Sequence, residues 1–195
     1  MELSARQQEL VQAAITIIAQ RGYEKLTTKN LALQIGVTEA ALYRHFSSKR
    51  ELMEMVLCQF EQLSCAVLEQ IKQQQLSALD SIRQFVLNRY TLFAQNPDLA
   101  RVMFSEELFK NDPSFTAQYQ SIMHIHRNEV VGYIETGQQD GTVDPSLSPM
   151  QLFRIIVGSM RLIVSQWNIS ESAFDLVAEG TALLNTIIKL IEVKQ

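Results

Sequence analysis

Glycine and proline are scarce in this chain, with 7 glycines and 4 prolines among 195 residues. Folds made of many short strands need frequent tight turns, and such turns rely on these two residue types. Apolar residues recur instead every three or four positions, and no strict alternation is long enough to predict a strand. A composition of 47% hydrophobic and 19% charged residues is typical of a folded globular protein. We therefore predict an all-α fold.

Membrane-spanning and secretory segments are also missing. No run approaches the roughly 20 apolar residues that a transmembrane helix needs, and the first residues have neither a basic segment nor an apolar signal core. The chain has two cysteines, Cys58 and Cys65. Seven residues of helix separate them by about 10.5 Å, which is too far for a disulfide. These absences predict a cytoplasmic protein with reduced thiols.

Charge is unevenly distributed along the chain. The formal net charge is −4, but residues 1–50 carry a net charge of +3 and residues 51–195 carry −7. A basic head before an acidic body suggests that the head contacts nucleic acid, provided that a motif supports it.

Helical periodicity and capping residues predict about nine helices. Ser4 with Gln7 and Ser48 with Glu51 form two capping-box patterns. We divide the chain into a DNA-binding head, residues 1–48, and a ligand-binding and dimerisation body, residues 49–195, with helix 49–74 as the connector. The predicted helices are 4–21, 28–35, 38–46, 49–74, 77–95, 97–109, 113–136, 148–167 and 172–194.

The most informative segment is 26–49. Two short helices meet at Gly36-Val37, and so short a turn forces the steep crossing of a helix-turn-helix, whose second helix enters the DNA major groove. Leu42 and Phe46 face the core, which leaves Arg44 outward, where its guanidinium can make two hydrogen bonds to a guanine edge. The candidate phosphate donors are Thr27, Thr28, Tyr43 and Lys49.

This segment resembles the TetR family of bacterial transcriptional regulators from Arg21-Gly22-Tyr23 through Leu52. The run Leu42-Tyr43-Arg44-His45-Phe46, with Lys49, is similar to the family's recognition-helix sequence. The resemblance implies a homodimeric repressor with a three-helix head and a helical regulatory body. It also implies phosphate contacts by Tyr43 and Lys49, a position close to the DNA backbone for His45, and base-reading positions for Thr38, Glu39, Ala41 and Arg44.

The body contains more aromatic and methionine residues than a spacer needs. Most of them are expected in the core, but a cavity between helices with such a lining is also the usual small-molecule site of a helical bundle. The family resemblance implies an effector pocket there. A mainly apolar lining predicts a hydrophobic or amphipathic effector. The candidate lining residues are Asn88, Tyr90, Phe93, Met103, Phe104, Met123, His126 and Arg127.

Dimerisation is predicted through the last two helices, about 148–167 and 174–194. They contain more isoleucine and leucine than one side of each helix could bury in a small body, and Gly158 and Ser159 would let two backbones approach closely. Two helices from each chain make a four-helix interface. The residues assigned to it are Leu152, Ile155, Ile156, Ile163, Leu183, Leu184, Ile187, Ile188 and Ile191.

No motif indicates catalysis, a cofactor or a metal. His124 and His126 point in different directions on a helix, whereas a zinc pair prefers a spacing of four. The sequence has no glycine-rich phosphate loop and no nucleophile elbow. We expect a binding protein and not an enzyme. Two alternatives stay open: a helical DNA-binding interaction protein without small-molecule regulation, and an enzyme that uses a body cavity.

Overall fold

Nine α-helices and one 3-10 helix form the part of the chain that the structure describes. A computed structural model describes residues 3–105, 108–109 and 112–193. These ranges contain no strand, only an isolated bridge between Val143 and Glu192, and no helix in them is long and apolar enough to cross a membrane. The all-α prediction is confirmed. The helices are α1 (Ala5–Arg21), the 3-10 helix (Tyr23–Lys25), α2 (Thr28–Ile35), α3 (Glu39–Leu42), α4 (Lys49–Gln74), α5 (Ala78–Gln95), α6 (Pro97–Met103), α7 (Pro113–Gln139), α8 (Pro149–Ile169) and α9 (Leu176–Ile191).

The helices divide into two compact units. The first unit contains Met1–Leu63 and Asp98–Ser121, and the second contains Ser64–Pro97 and Ile122–Gln195. The long helices α4 and α7 therefore each contribute residues to both units. The domain boundary that the sequence predicts between residues 48 and 49 stays a prediction.

The first unit contains α1, whose apolar positions form one buried face. Ser4 begins this helix with the predicted capping box, since its hydroxyl accepts the Gln7 N–H at 3.3 Å and the Gln7 side chain accepts the Ser4 N–H at 3.0 Å. This exchange satisfies backbone donors that the first helical turn leaves without a partner. The core of the unit includes Leu10, Ala14, Ile17, Leu26, Leu31, Leu42, Phe46 and Leu52.

The second unit contains α5, α8 and α9, which pack against one another. Two helices approach closely at Gly180 of α9, which lies against the ring of Tyr90 on α5. A Cβ atom at Gly180 would come within 2.5 to 2.7 Å of three atoms of that ring. Glycine is therefore required there for α9 to lie this close to α5.

The structure corrects part of the predicted dimer surface. Most of the isoleucines and leucines assigned to it are buried in the second unit itself, because α5 packs against both α8 and α9 and covers a second side of each helix. Ile155 is 53% exposed, as an interface residue requires, and Leu162, Ile169 and Leu190 are also exposed. The residues wrongly assigned to the dimer surface are Leu152, Ile156, Leu184, Ile187, Ile188 and Ile191.

The third helix is shorter than predicted. It ends at Leu42 instead of continuing to Phe46, and residues 43–45 form a turn. The N–H groups of His45 and Phe46 both donate to the Leu42 carbonyl, at 2.8 and 3.3 Å, so the chain tightens there. Arg44 therefore lies in the turn after α3 and not in the middle of a helix.

The helices predicted over 113–136 and 148–167 are observed at Pro113–Gln139 and Pro149–Ile169, and two other later helices differ more from their predicted bounds. The helix predicted over 97–109 ends at Met103, and the helix predicted from Ser172 begins at Leu176. Glu171 and Ser172 have left-handed backbone angles, with φ of 53° and 65°, which no helix can include. Asp175 caps α9 instead, accepting two backbone N–H bonds at 2.9 and 3.0 Å. The predicted end at residue 194 lies outside the described residues.

Candidate DNA-binding surface and effector-binding body

Two threonine caps and one glycine build the helix-turn-helix. The Thr27 hydroxyl accepts the Asn30 N–H at 3.1 Å and begins α2. Gly36 ends α2 in the left-handed region at φ 70°, which glycine adopts without strain. Thr38 then begins α3, accepting the Ala41 N–H at 3.4 Å. The turn therefore lies where the sequence predicts it.

The structure brings all the predicted DNA-contacting residues together in the first unit, between Thr27 and Lys49. The Tyr43 residue is 58% exposed, and Arg44 is exposed beside it. Their polar groups can thus reach a ligand without rearrangement of the core. Contact with DNA stays a prediction for each residue. Thr27, Thr38 and Glu39 are also exposed, and Thr28, Ala41, His45 and Lys49 are partly buried.

Glu39 and Thr28, both predicted DNA contacts, bind each other. The Thr28 hydroxyl donates to the Glu39 carboxylate at 2.5 Å and joins α2 to the first turn of α3. A carboxylate in that first turn also interacts favourably with the helix dipole. Glu39 thus has a structural role on this surface. Thr28 must release this bond before it can donate to a phosphate.

Lys49 begins α4 with its ammonium over an aromatic ring. Its Nζ lies 3.7 Å from the ring centroid of Tyr23, a distance typical of a cation–π contact. Partial burial lowers the pKa of Lys49, while nearby Glu24 raises it. The ammonium is therefore held at one place on the surface, against the Tyr23 ring.

The cap of α4 differs from the predicted capping box. The Ser48 hydroxyl accepts the Glu51 N–H at 3.1 Å, as predicted. The Glu51 carboxylate, however, accepts the N–H and the hydroxyl of Ser47, both at 2.6 Å, one residue before the expected partner. These bonds lower the pKa of Glu51 and fix the backbone just before Lys49.

Tyr23 is a residue of this surface that sequence reasoning missed. Its ring packs edge-to-face on Phe115 at a centroid distance of 6.2 Å, on the side of the first unit formed by the start of α7. Nearby, a guanidinium nitrogen of Arg50 lies 3.8 Å from the Asp112 carboxylate. No local pattern could have revealed these contacts, because their partners are far apart in the sequence.

A cavity of about 640 Å³ also lies in the first unit. Its described lining comes from the end of α1, the 3-10 helix, α6 and the start of α7. Charged side chains such as Arg21, Arg101 and Asp112 line it together with Val102 and Phe115. The lining includes none of the predicted effector-binding residues, and its mixed charge differs from the apolar site that the sequence predicts.

The structure places the predicted effector-binding residues in both units. Met103 and Phe104 belong to the first unit, whereas the others belong to the second. Tyr90 packs against Gly180, so its ring forms part of the α5–α9 contact. His126 is buried and packs edge-to-face on Phe85 at 5.3 Å. In the second unit Phe93 is also buried, and Asn88, Met123 and Arg127 are partly buried.

Arg89 of α5 is the second residue that sequence reasoning missed. It is only 1% exposed. Its two terminal nitrogens donate to Ser64 at 3.0 Å and to Asn88 at 2.7 Å, and its guanidinium lies 5.7 Å from the Phe85 ring centroid. The sequence does indicate that Arg89 is buried, because Arg89 shares a helical spacing with Phe85, Val86 and the other apolar residues of the α5 face.

His126 gives a prediction about stability against pH. Burial, and secondarily the charge of Arg89, lowers its pKa to about 3. Between pH 6.5 and 5 the unfolded chain binds a proton that the folded chain excludes, so stability falls as pH falls. We expect the wild type to lose about 1 kcal/mol between pH 7 and 5.5 in urea unfolding.

The His126→Leu variant should lack this loss. His45 and His124 are present in both proteins and serve as a common background. The prediction is wrong if the two unfolding free energies fall in parallel.

Comparison with known proteins decides the family. The model of bacterial regulatory proteins of the TetR family matches residues 10–56, and the model described as the C-terminal region of YsiA-like protein matches residues 41–191. The chain belongs to the TetR family. It is thus a DNA-binding transcriptional regulator, and the predicted family is confirmed. The family is one of regulators, not of enzymes.

The chain is similar to known proteins over different shares of its length. The fatty acid metabolism regulator protein of Bacillus subtilis is 21% identical over 95% of both chains. The nucleoid occlusion factor SlmA of Vibrio vulnificus is 37% identical over 56% of this chain and 57% of its own. The structure of the regulator FadR from Bacillus subtilis with stearoyl-CoA has a TM-score of 0.79 at 21% identity, covering 94% of this chain and 98% of that one.

Proposed function

We propose that this TetR-family regulator is a cytoplasmic homodimeric repressor that leaves its operator when a hydrophobic or amphipathic effector binds its body. The observation that carries the DNA-binding part is the helix-turn-helix, with exposed Tyr43 and Arg44 in the turn after α3 and Lys49 at the start of α4. Its mechanism is binding and not catalysis. Effector binding favours a conformation of the body in which the two heads no longer match adjacent half-sites.

The head has groups for both kinds of DNA contact. Arg44 is exposed and presents a planar fork that matches the two acceptors of a guanine edge. Tyr43 and Lys49 carry the donors that suit phosphate oxygens, and the first N–H groups of α4 lie beside Lys49. We assign base reading to Arg44 and positioning to the other two.

The effector class follows from relatives and composition together. A relative that spans nearly the whole chain is a fatty acid metabolism regulator, and a structure with the same fold contains stearoyl-CoA. The second unit buries the aromatic residues Phe85, Tyr90 and Phe93 on one helix. We therefore propose that the effector contains a long acyl chain.

The dimer surface is assigned to the exposed faces of α8 and α9. Ile155, Leu162 and Ile169 recur every seven residues on one exposed face of α8, with exposed Gly158 between the first two. A Cβ atom at Gly158 would meet nothing within 4 Å, so the backbone there is open to close approach. An exposed apolar stripe of this kind is typical of a subunit interface.

Operator release is tested by DNA mobility-shift assays on a duplex selected from a random pool. The repressor should bind without effector and leave the DNA on addition of a long-chain fatty acid or its acyl-CoA. A protein that binds the duplex equally well with either compound and with total metabolite extract would support the alternative, a DNA-binding protein without small-molecule regulation. One observation supports that alternative. A relative that matches about half of the chain is named a nucleoid occlusion factor.

The base-reading and phosphate assignments predict different effects of two substitutions. Arg44→Ala should cost about 1 to 3 kcal/mol on the selected operator and much less on random DNA, because it removes contacts to base edges. Lys49→Ala should weaken both complexes alike and reduce the slope of log K against log salt by about 1 for each lost phosphate contact. Equilibrium binding over a salt series on both duplexes measures these effects.

Lys72→Gln is the control for these variants. Lys72 is a cation of the second unit whose ammonium lies 2.7 Å from the Glu129 carboxylate, so its removal should leave both affinities and the salt slope unchanged. If Arg44→Ala and Lys49→Ala reduce the preference for the selected operator over random DNA by the same factor, the exposed face of the head is wrongly assigned.

A further inference from the structure

We infer that Arg89 anchors the negatively charged group of the effector, and that the effector is an amphipathic acid whose anionic end binds inside the second unit. The inference rests on the proposed function, since it assumes an acyl effector in the body. It adds the chemistry of the head group and the residue that recognises it.

Arg89 is a buried cation without a carboxylate partner. No Asp or Glu among the described residues lies within ion-pair distance of its guanidinium, and its two hydrogen bonds go to neutral oxygens, those of Ser64 and Asn88. Its Nε is buried and has no hydrogen-bond partner. The charge of Arg89 is thus solvated by two dipoles and one aromatic face.

This arrangement is costly for the protein alone. A buried ion loses several kcal/mol of hydration, and proteins usually offset that loss with an opposite charge. Burial lowers the pKa of Arg89 only to about 10, so the guanidinium is still charged at neutral pH. A ligand that brings a negative charge to Arg89 recovers interaction energy that the folded chain lacks.

The donor geometry suits a carboxylate. A guanidinium offers two parallel N–H groups that a carboxylate accepts together, and the partnerless Nε is one member of such a pair. The hydrogen bonds to Ser64 and Asn88 involve neutral acceptors, which a charged acceptor outcompetes. Phe85, Val86 and Phe93 are buried on the same face of α5 as Arg89, so an acyl chain that reaches Arg89 packs among apolar side chains.

Two common acyl compounds present an anion differently. A free fatty acid has its carboxylate at the end of the chain, whereas an acyl-CoA has a neutral thioester there and carries its phosphates on the nucleotide beyond. A buried site at Arg89 is better matched by the free acid. The test therefore compares a fatty acid, its methyl ester and its acyl-CoA.

The experiment measures binding of myristate, methyl myristate and myristoyl-CoA to the full-length protein by calorimetry, with release of the selected operator as a second readout. We expect the wild type to bind myristate at least about tenfold more tightly than the ester. Arg89→Met has a similar volume and no charge, and it should abolish that difference while leaving ester binding unchanged. Arg89→Lys keeps the charge but loses the planar pair of N–H donors. It should retain part of the preference for myristate over the ester. Lys72→Gln, in the same unit, should behave as the wild type.

Stability measurements separate this role from a structural one. Thermal unfolding without ligand should show Arg89→Met to be as stable as the wild type or more so, because an unpaired buried cation has been removed. Myristate should raise the Tm of the wild type but not of Arg89→Met. The inference is overturned if the wild type binds myristate and its ester with equal affinity. It is also overturned if the folded Arg89→Met variant loses affinity for both compounds equally.

The remaining outcomes are also decisive. Tight binding of myristoyl-CoA that Arg89→Met leaves unchanged supports the proposed acyl effector but overturns the role of Arg89. Failure of all three compounds to bind or to release DNA contradicts the proposed effector class itself. An Arg89→Met protein that does not fold overturns the inference in favour of a structural role.

Discussion

Leu162→Glu is expected to convert the protein to monomers and to weaken operator binding at least about 100-fold. Leu162 is 60% exposed in the middle of the α8 stripe, between Ile155 and Ile169. A carboxylate at the centre of an apolar interface must lose its hydration without gaining a partner. A stable dimer buries about 1,600 Å² in total, most tightly at its centre. A monomer then contacts one half-site, which loses the affinity gained from two linked heads.

Sedimentation velocity at micromolar concentration measures the oligomeric state of the Leu162→Glu variant. Leu76→Glu is the matched control, because Leu76 is also an exposed leucine of the second unit but lies outside α8 and α9. The control should remain dimeric and bind the operator normally. A dimeric Leu162→Glu protein would place the interface on another surface.

Gly180→Ala is expected to lower the free energy of unfolding by about 3 kcal/mol, the upper end of the usual cost of overpacking a core. The new methyl group would lie within 2.7 Å of three atoms of the Tyr90 ring. Tyr90 is 1% exposed, so its ring has no solvent into which it can move. α9 must therefore shift away from α5, and urea unfolding measures the cost.

Gly132→Ala is the control for this substitution. Gly132 is also helical, in α7 of the second unit, and a Cβ atom there meets nothing within 4 Å. Alanine is favoured over glycine inside a helix by roughly 0.5 to 1 kcal/mol, so this variant should be slightly more stable. If both variants gain stability, the close packing of α9 on Tyr90 is not rigid.

Local determinants explain why the helix-turn-helix could be predicted from the sequence. The caps at Thr27 and Thr38 and the left-handed turn at Gly36 depend on residues at most four positions away. The early end of α3 depends on how the next turn tightens onto Leu42, which helical periodicity does not encode. Propensity and pattern therefore located the DNA-binding surface but misplaced Arg44 relative to the helix.

Long-range packing explains what the sequence could not show. The helical pattern of α9 predicts an apolar surface at Ile187 and Ile188, but α5 and α8 pack against α9 and both residues are buried. Helical spacing places Arg89 on the apolar face of α5, but no local pattern predicts its partner, because Ser64 lies 25 positions earlier. Such contacts depend on which helices meet, and a single sequence does not state this.

The position of Lys49 over the Tyr23 ring has a consequence for the entropy of DNA binding. A free lysine side chain loses up to about 2 kcal/mol of rotamer freedom when a phosphate fixes its ammonium. The contact with Tyr23 restricts that ammonium before any DNA is present. Part of the ordering cost is therefore met during folding, and the aromatic ring increases affinity for the phosphate without adding a charge. The slope of log K against log salt depends on the number of phosphates that protein cations neutralise. Tyr23 has no charge, so its contribution to affinity does not change that slope.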